Sequence, residues 1–128
     1  IYAAGYRNLQ FDDCVWGGMV NPKLAVALTG RSGEALEEYK KLMLKLKNEV
    51  VAAAPDDLLI NTHVCRGNYH STFFSSGAYD SVADLLFGEE NVNAYYLEYD
   101  DERSGGFEPL AKVSSDKKVV LDHRNGYI

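Results

Sequence analysis

A histidine and a cysteine two residues apart, His63-Val64-Cys65, stand at the polar end of an apolar run, 58–65. In an extended strand residues i and i+2 project from one face, so an imidazole and a thiol would stand side by side there. Zinc suits that pair, because it takes nitrogen and sulfur ligands tetrahedrally at roughly 2.0–2.3 Å. Glu98 sits in a second, mainly apolar run, 92–100, and offers a third donor from an adjacent strand. The same two residues also permit Cys65 as a nucleophile with His63 as its base. Side chains leaning off one strand face seldom give in-line proton transfer, and that chemistry needs an orienting third group. Asp12 and Asp13 close a third strand-like run, 6–11, and Asp122 and His123 follow a fourth, 117–121. The plain alternative for any one of these pairs is that polar residues mark where strands become loops. By default His70 reads as a solvated loop histidine, and Glu89-Glu90 and 100–102 as solvated acidic surface.

The elements that must position these residues alternate. Residues 1–5 read as a last helical turn closed by Gly5, and 6–11 as a short strand ending in the acidic pair. The segment 14–18, Cys-Val-Trp-Gly-Gly, reads as irregular, and 21–33, with Asn21-Pro22, Gly30 and Gly33, as a long connection with one helical turn near 23–28. The strongest periodicity runs over 34–54, where Leu36, Tyr39, Leu42 or Met43, Leu46, Val50 and Ala53 recur every three or four residues. That predicts an amphipathic helix capped by Ser32 and stopped at Pro55. The run 58–65 has the pattern of a buried parallel strand. A second helix is expected over 80–87 with Gly88 as its stop, then the strand 92–100, a short helical segment near 107–110, and a last strand at 117–121. Strand and helix in alternation give an α/β class with a parallel sheet and right-handed crossovers. The chemically capable residues then gather beyond the carboxyl ends of the strands, where α/β proteins bind ligands.

Composition narrows the function classes. The chain of 128 residues has 46% hydrophobic and 25% charged residues, the balance of one packed domain rather than a disordered chain. A net charge of -6 and a pI near 5.0 argue against a nucleic-acid partner. No apolar run reaches the ~18 residues of a membrane helix, and the first residues lack the order of a secretory signal, so a cytoplasmic location is expected. Two cysteines make no disulfide framework.

One combination of motifs is more specific than its parts: 63–68, His-Val-Cys-Arg-Gly-Asn; 96–100, Tyr-Leu-Glu-Tyr-Asp; and 104–110, Ser-Gly-Gly-Phe-Glu-Pro-Leu. Together they resemble the catalytic domain of cobalamin-independent methionine synthase, and more closely its short single-domain bacterial relatives, over about residues 1 to 121. The resemblance implies a (β/α)8 barrel of the kind shared with uroporphyrinogen decarboxylase. It also implies a zinc ion that activates the homocysteine thiol to take a methyl group from a methyl-folate. By motif match His63, Cys65 and Glu98 fall on the family's zinc ligands, and Asp12 on the aspartate that grips the amino group of homocysteine.

The sequence departs from that family at two places. The family's fourth ligand is a cysteine on a later strand, and no cysteine follows Cys65; the family's proline after the acidic pair is Cys14 here. A (β/α)8 barrel also needs at least ~200 residues, so the chain is expected to supply about four of eight strands, as a fragment. Half a barrel leaves two strand edges open, which predicts a homo-oligomer. The alternative function is a non-catalytic, self-associating α/β remnant in which His63 and Cys65 are only inherited.

Overall fold

Alternate strand residues are apolar because helices cover one face of the sheet and leave the other open. A computed structural model describes residues 1–70, 72–99 and 102–122. Within them are strands β1 (Asn8–Asp12), β2 (Leu59–Val64), β3 (Ala94–Glu98) and β4 (Lys118–Asp122), and helices α1 (Cys14–Met19), α2 (Pro22–Thr29), α3 (Gly33–Ala52) and α4 (Ala83–Glu89). The strands are all parallel and lie side by side in chain order, β1-β2-β3-β4. This is the mixed α/β class and parallel sheet expected. Four strands do not by themselves make a closed barrel.

Ile60, Val64, Tyr95 and Leu97 meet Trp16, Met19, Leu36, Leu44, Leu86 and Phe87 in one core on the helical side. Burying side chains of this size contributes roughly 1.5–3 kcal/mol each before the entropy of ordering is subtracted. The opposite face carries Asn8, Gln10 and Asp12 of β1, Asn61 and His63 of β2, and Tyr96 and Glu98 of β3. Asn61 Nδ2 donates to Asn8 Oδ1 at 2.7 Å across that face.

Several local expectations are corrected. Residues 14–18 are not irregular but form α1, and the connection over 21–33 contains two full turns of α2. Asn21-Pro22 is a helix start: Asn21 Oδ1 accepts the amides of Lys23 and Leu24, and proline fills the first helical position, where no amide is needed. Ser32 makes no side-chain cap to α3. The buried stripe of α3 is Leu36, Lys40 and Leu44, whereas Leu42, Leu46 and Val50 stay exposed. Lys40 tolerates burial because its Nζ donates to Glu37 Oε1 at 2.8 Å and to the Ser81 carbonyl at 3.3 Å. The helix expected over 80–87 is a 3-10 turn, Tyr79–Ser81, followed by α4, which runs through Gly88.

Glu90, expected on the surface, is fully buried. Lys47 Nζ lies between it and the rim, 3.6 Å from Glu90 Oε1 and 2.6 Å from Asp13 Oδ2. Burial pushes the Glu90 carboxyl up to about 7, and the Lys47 charge only partly opposes this. The folded chain therefore holds a proton between pH 4.5 and about 7 that the unfolded chain releases. Stability should fall as pH rises through that window, by about 3 kcal/mol in all. Urea unfolding of Glu90→Gln is expected to match the parent near pH 4.5 and exceed it at pH 8; equal pH slopes would show that Glu90 is ionised in the fold.

Candidate functional site

The ladder pairs Asp12 with His63 and His63 with Tyr96, so three strands deliver one polar row to the carboxyl end of the sheet. Two residues further along β3, Glu98 reaches the same rim. His63 Nδ1 lies 3.0 Å from Asp12 Oδ1, and its Nε2 lies 3.4 Å from Glu98 Oε1. The imidazole is thus held between carboxylates from both neighbouring strands. Glu98 Oε2 accepts from Asn68 Nδ2 at 2.8 Å and stands 3.5 Å from the Arg103 guanidinium. Ser104 Oγ donates to the Glu98 carbonyl at 2.6 Å, tying the loop after β3 to the rim.

These contacts set the charges. The hydrogen bond to Glu98 raises the His63 pKa above its ordinary 6.5, outweighing burial, with Asp12 acting in the same direction. Burial alone would raise the Glu98 carboxyl; hydrogen bonds from His63, Asn68 and the Arg66 backbone together reverse that and hold it below its ordinary value. Both shifts favour the imidazolium–carboxylate form of the pair.

Cys65 follows β2 directly and its Sγ accepts the Gly67 amide at 3.2 Å. It faces Cys14 rather than closing on His63 and Glu98. The Asp12 carboxylate, Cys14 Sγ and Cys65 Sγ all lie within 4.8 Å of one another, a grouping that could hold a metal ion, and the sole one of its kind among the described residues. Both cysteines are free thiols. Burial pushes the Cys14 thiol up to about 11, with the neighbouring Cys65, Asp12 and Asp13 adding to the effect. Asp13 turns away to Lys47, so Asp12 alone of the acidic pair serves the rim.

The residues expected to act together, Asp12, His63, Cys65 and Glu98, thus share one strand end. His63, Cys65 and Glu98 do not reach that mutual donor distance as a trio; the close contacts are His63 with Glu98 and Cys65 with Cys14. Both ring nitrogens of His63 face carboxylates, so the described residues do not form a Cys65–His63 nucleophile pair. Asp122 continues the ladder opposite Glu98, while Asp100, Asp101 and His123 lie outside the described residues. His70 is solvent-exposed, as expected. Sequence reasoning missed Asn68 as a partner of Glu98 and Lys47 as the partner of Asp13.

The chain's likenesses to known proteins cover nearly all of it. No protein-family model matches. Two curated proteins of Bacillus subtilis (strain 168), the uncharacterized YxjG and YxjH, are each 41% identical to it over 121 residues, 94% of this chain and 32% of theirs. A crystal structure from Listeria monocytogenes, described as the "Putative Vitamin-B12 Independent Methionine Synthase", superposes with a TM-score of 0.61 at 32% identity, covering 94% of this chain and 31% of that one. The chain resembles one third of that protein. It likewise spans about a third of the curated relatives.

What brings Cys14 to Cys65 is a glycine. Gly17, one turn further along α1, lies so close to the end of β2 that a side-chain carbon there would come within 2.0 Å of the Cys65 carbonyl oxygen. Ser75 Oγ also donates to the Gly17 carbonyl, fixing the helix in place. Backbone cannot yield cheaply, so Gly17→Ala should cost roughly 2–3 kcal/mol in urea unfolding and separate the two thiols. A loss under 0.5 kcal/mol would mean that α1 is free to shift.

Proposed function

We propose that this chain is part of a zinc-dependent methyltransferase of the vitamin-B12-independent methionine synthase type, moving a methyl group from a methyl-folate to homocysteine or a related thiol. The observation that carries the reading is the His63–Glu98 contact at the strand ends, in a chain similar to the Listeria protein over 94% of its length. Ligand atoms on a tetrahedral zinc with bonds near 2.0–2.1 Å lie roughly 3.3 Å apart, and 3.4 Å separates Nε2 from Oε1. Asp12 on Nδ1 supports the same reading, since metal-bound histidines usually give their other nitrogen to a carboxylate.

In this reading His63, Cys65 and Glu98 hold the ion. Bound there, zinc would lower the pKa of the substrate thiol, so that its proton leaves to solvent, and would hold the thiolate that attacks the methyl carbon. Asp12 orients His63 and, with a side chain 65% exposed, also receives the ammonium of homocysteine. Asn68 and Arg103 hold the Glu98 carboxylate in place. The methyl-folate would approach over the open polar face.

The four strands are read as consecutive strands of a (β/α)8 barrel. Their sequential parallel order, the uncovered inner face and the exposed apolar stripe of Leu42, Leu46 and Val50 on α3 all suit further βα units beside β1 and β4. Those units belong to a longer chain or to a second copy in a homo-oligomer.

The test is zinc content after purification without added metal, together with methyl transfer from 5-methyl-tetrahydrofolate to homocysteine. The parent protein should retain zinc and transfer the methyl group. His63→Ala and Cys65→Ser should weaken zinc binding by ~10–100-fold and abolish turnover. Negligible zinc in all three proteins, with melting unmoved by chelator, would replace this reading with the non-catalytic, self-associating remnant.

A further inference from the structure

The rim holds a second thiol that neither the trio His63, Cys65 and Glu98 nor substrate binding by Asp12 uses. Cys14 begins α1 directly after the acidic pair, and its Sγ lies within 4.8 Å of both Cys65 Sγ and an Asp12 carboxylate oxygen. Two sulfurs on a common tetrahedral ion, each about 2.3 Å from it, are separated by roughly 3.8 Å, inside that limit. The approach is built rather than accidental: Gly17 has no room for a side chain against the Cys65 carbonyl, and Ser75 clamps the same turn of α1. The Gly67 amide donates to Cys65 Sγ and holds that sulfur in place.

We propose that Cys14 is a ligand to the metal at this rim, giving the ion a second thiolate beside Cys65. The inference rests on the zinc reading above and adds a residue to it. On binding, the Cys14 thiol releases its proton to solvent and the sulfur lone pair goes to the cation. The consequence is selectivity: two sulfur donors from β1–α1 and β2 favour zinc, cobalt or cadmium over magnesium or calcium, which prefer oxygen.

Cobalt(II) added anaerobically to the metal-free protein reads sulfur ligation directly, through the near-ultraviolet sulfur-to-cobalt charge-transfer band. Cys14→Ser and Cys65→Ser should each remove about half of the band's intensity per bound cobalt and weaken cobalt binding at least tenfold, while the double variant shows no band. Cys14 is exposed, so Cys14→Ser should keep the parent's circular dichroism, and Cys14→Ala serves as a second thiol-free variant. A band unchanged in both Cys14 variants, or no band in the parent, overturns the proposal. The two readings fail differently. If His63→Ala and Glu98→Gln leave cobalt binding intact while Cys14→Ser halves the band, the methyltransferase ligand set falls and Cys14 stands; if Cys65→Ser alone removes the band, Cys14 falls and the ligand set stands.

Discussion

The parallel ladder joining β1, β2 and β3 is the constraint on which the site depends. Its register places Asp12, His63 and Tyr96 in one row, and with a side-chain period of two it sends Glu98 to the same rim one step later. A slip of one residue in β2 would carry His63 to the helical face, into the layer of Ile60 and Val64, and bring Thr62 or Val64 to the rim. The apolar alternation that buries Ile60, Val64, Tyr95 and Leu97 thus holds the polar row in position. Fold energy and site geometry come from the same hydrogen bonds.

Helices tune what the ladder sets. Lys47 of α3 reaches across to Asp13 and to buried Glu90, linking the rim to the far end of α4 through a single ammonium. That assignment frees Asp12 from Asp13, since the two adjacent carboxylates point to different partners. Arg66, next to Cys65, is fully buried with its guanidinium over the Tyr79 ring at 4.4 Å, and its carbonyl accepts the Phe74 and Ser75 amides. The loop that follows Cys65 is therefore anchored twice, by Arg66 in the aromatic layer of Tyr79 and Tyr99 and by Ser75 at Gly17.

Legibility in the sequence followed the range of the interactions. The strands could be read because each is an apolar run turning polar at one end, and their order in the sheet followed from alternation with helices. The pairing of His63 with Glu98 came from that order. Helix α1 was not legible and α2 only as a single turn near 23–28: Gly17 and Gly18 are poor helix formers, and Asn21-Pro22 signals a turn as readily as a cap followed by a first helical proline. Helix α3 was readable in extent but not in orientation, because it carries two apolar stripes and the sequence cannot say which one meets α4. Glu90 looked like half of a surface pair with Glu89; only the long-range placement of Lys47 and Lys117 reveals that it is enclosed. The nearness of Cys14 to Cys65 depends on the path of α1, which a glycine contact decides and no periodicity announces.

The rim's own charge accords with the zinc reading. Asp12 and Glu98 flank His63, and two thiols stand beside Asp12, on a chain already carrying -6. Three acceptor-bearing elements converge, and the contacts to Glu98 and Asp12 favour a proton on the imidazole, which would offset part of the negative field. The 3.4 Å between Nε2 and Oε1 is where such a proton or, in the zinc reading, a cation would sit. A divalent ion there would supply two positive charges where the proton supplies one, and would let the neighbouring thiols ionise rather than repel the carboxylates. With either a proton or a cation there, the carboxylate on Nδ1 keeps the imidazole oriented.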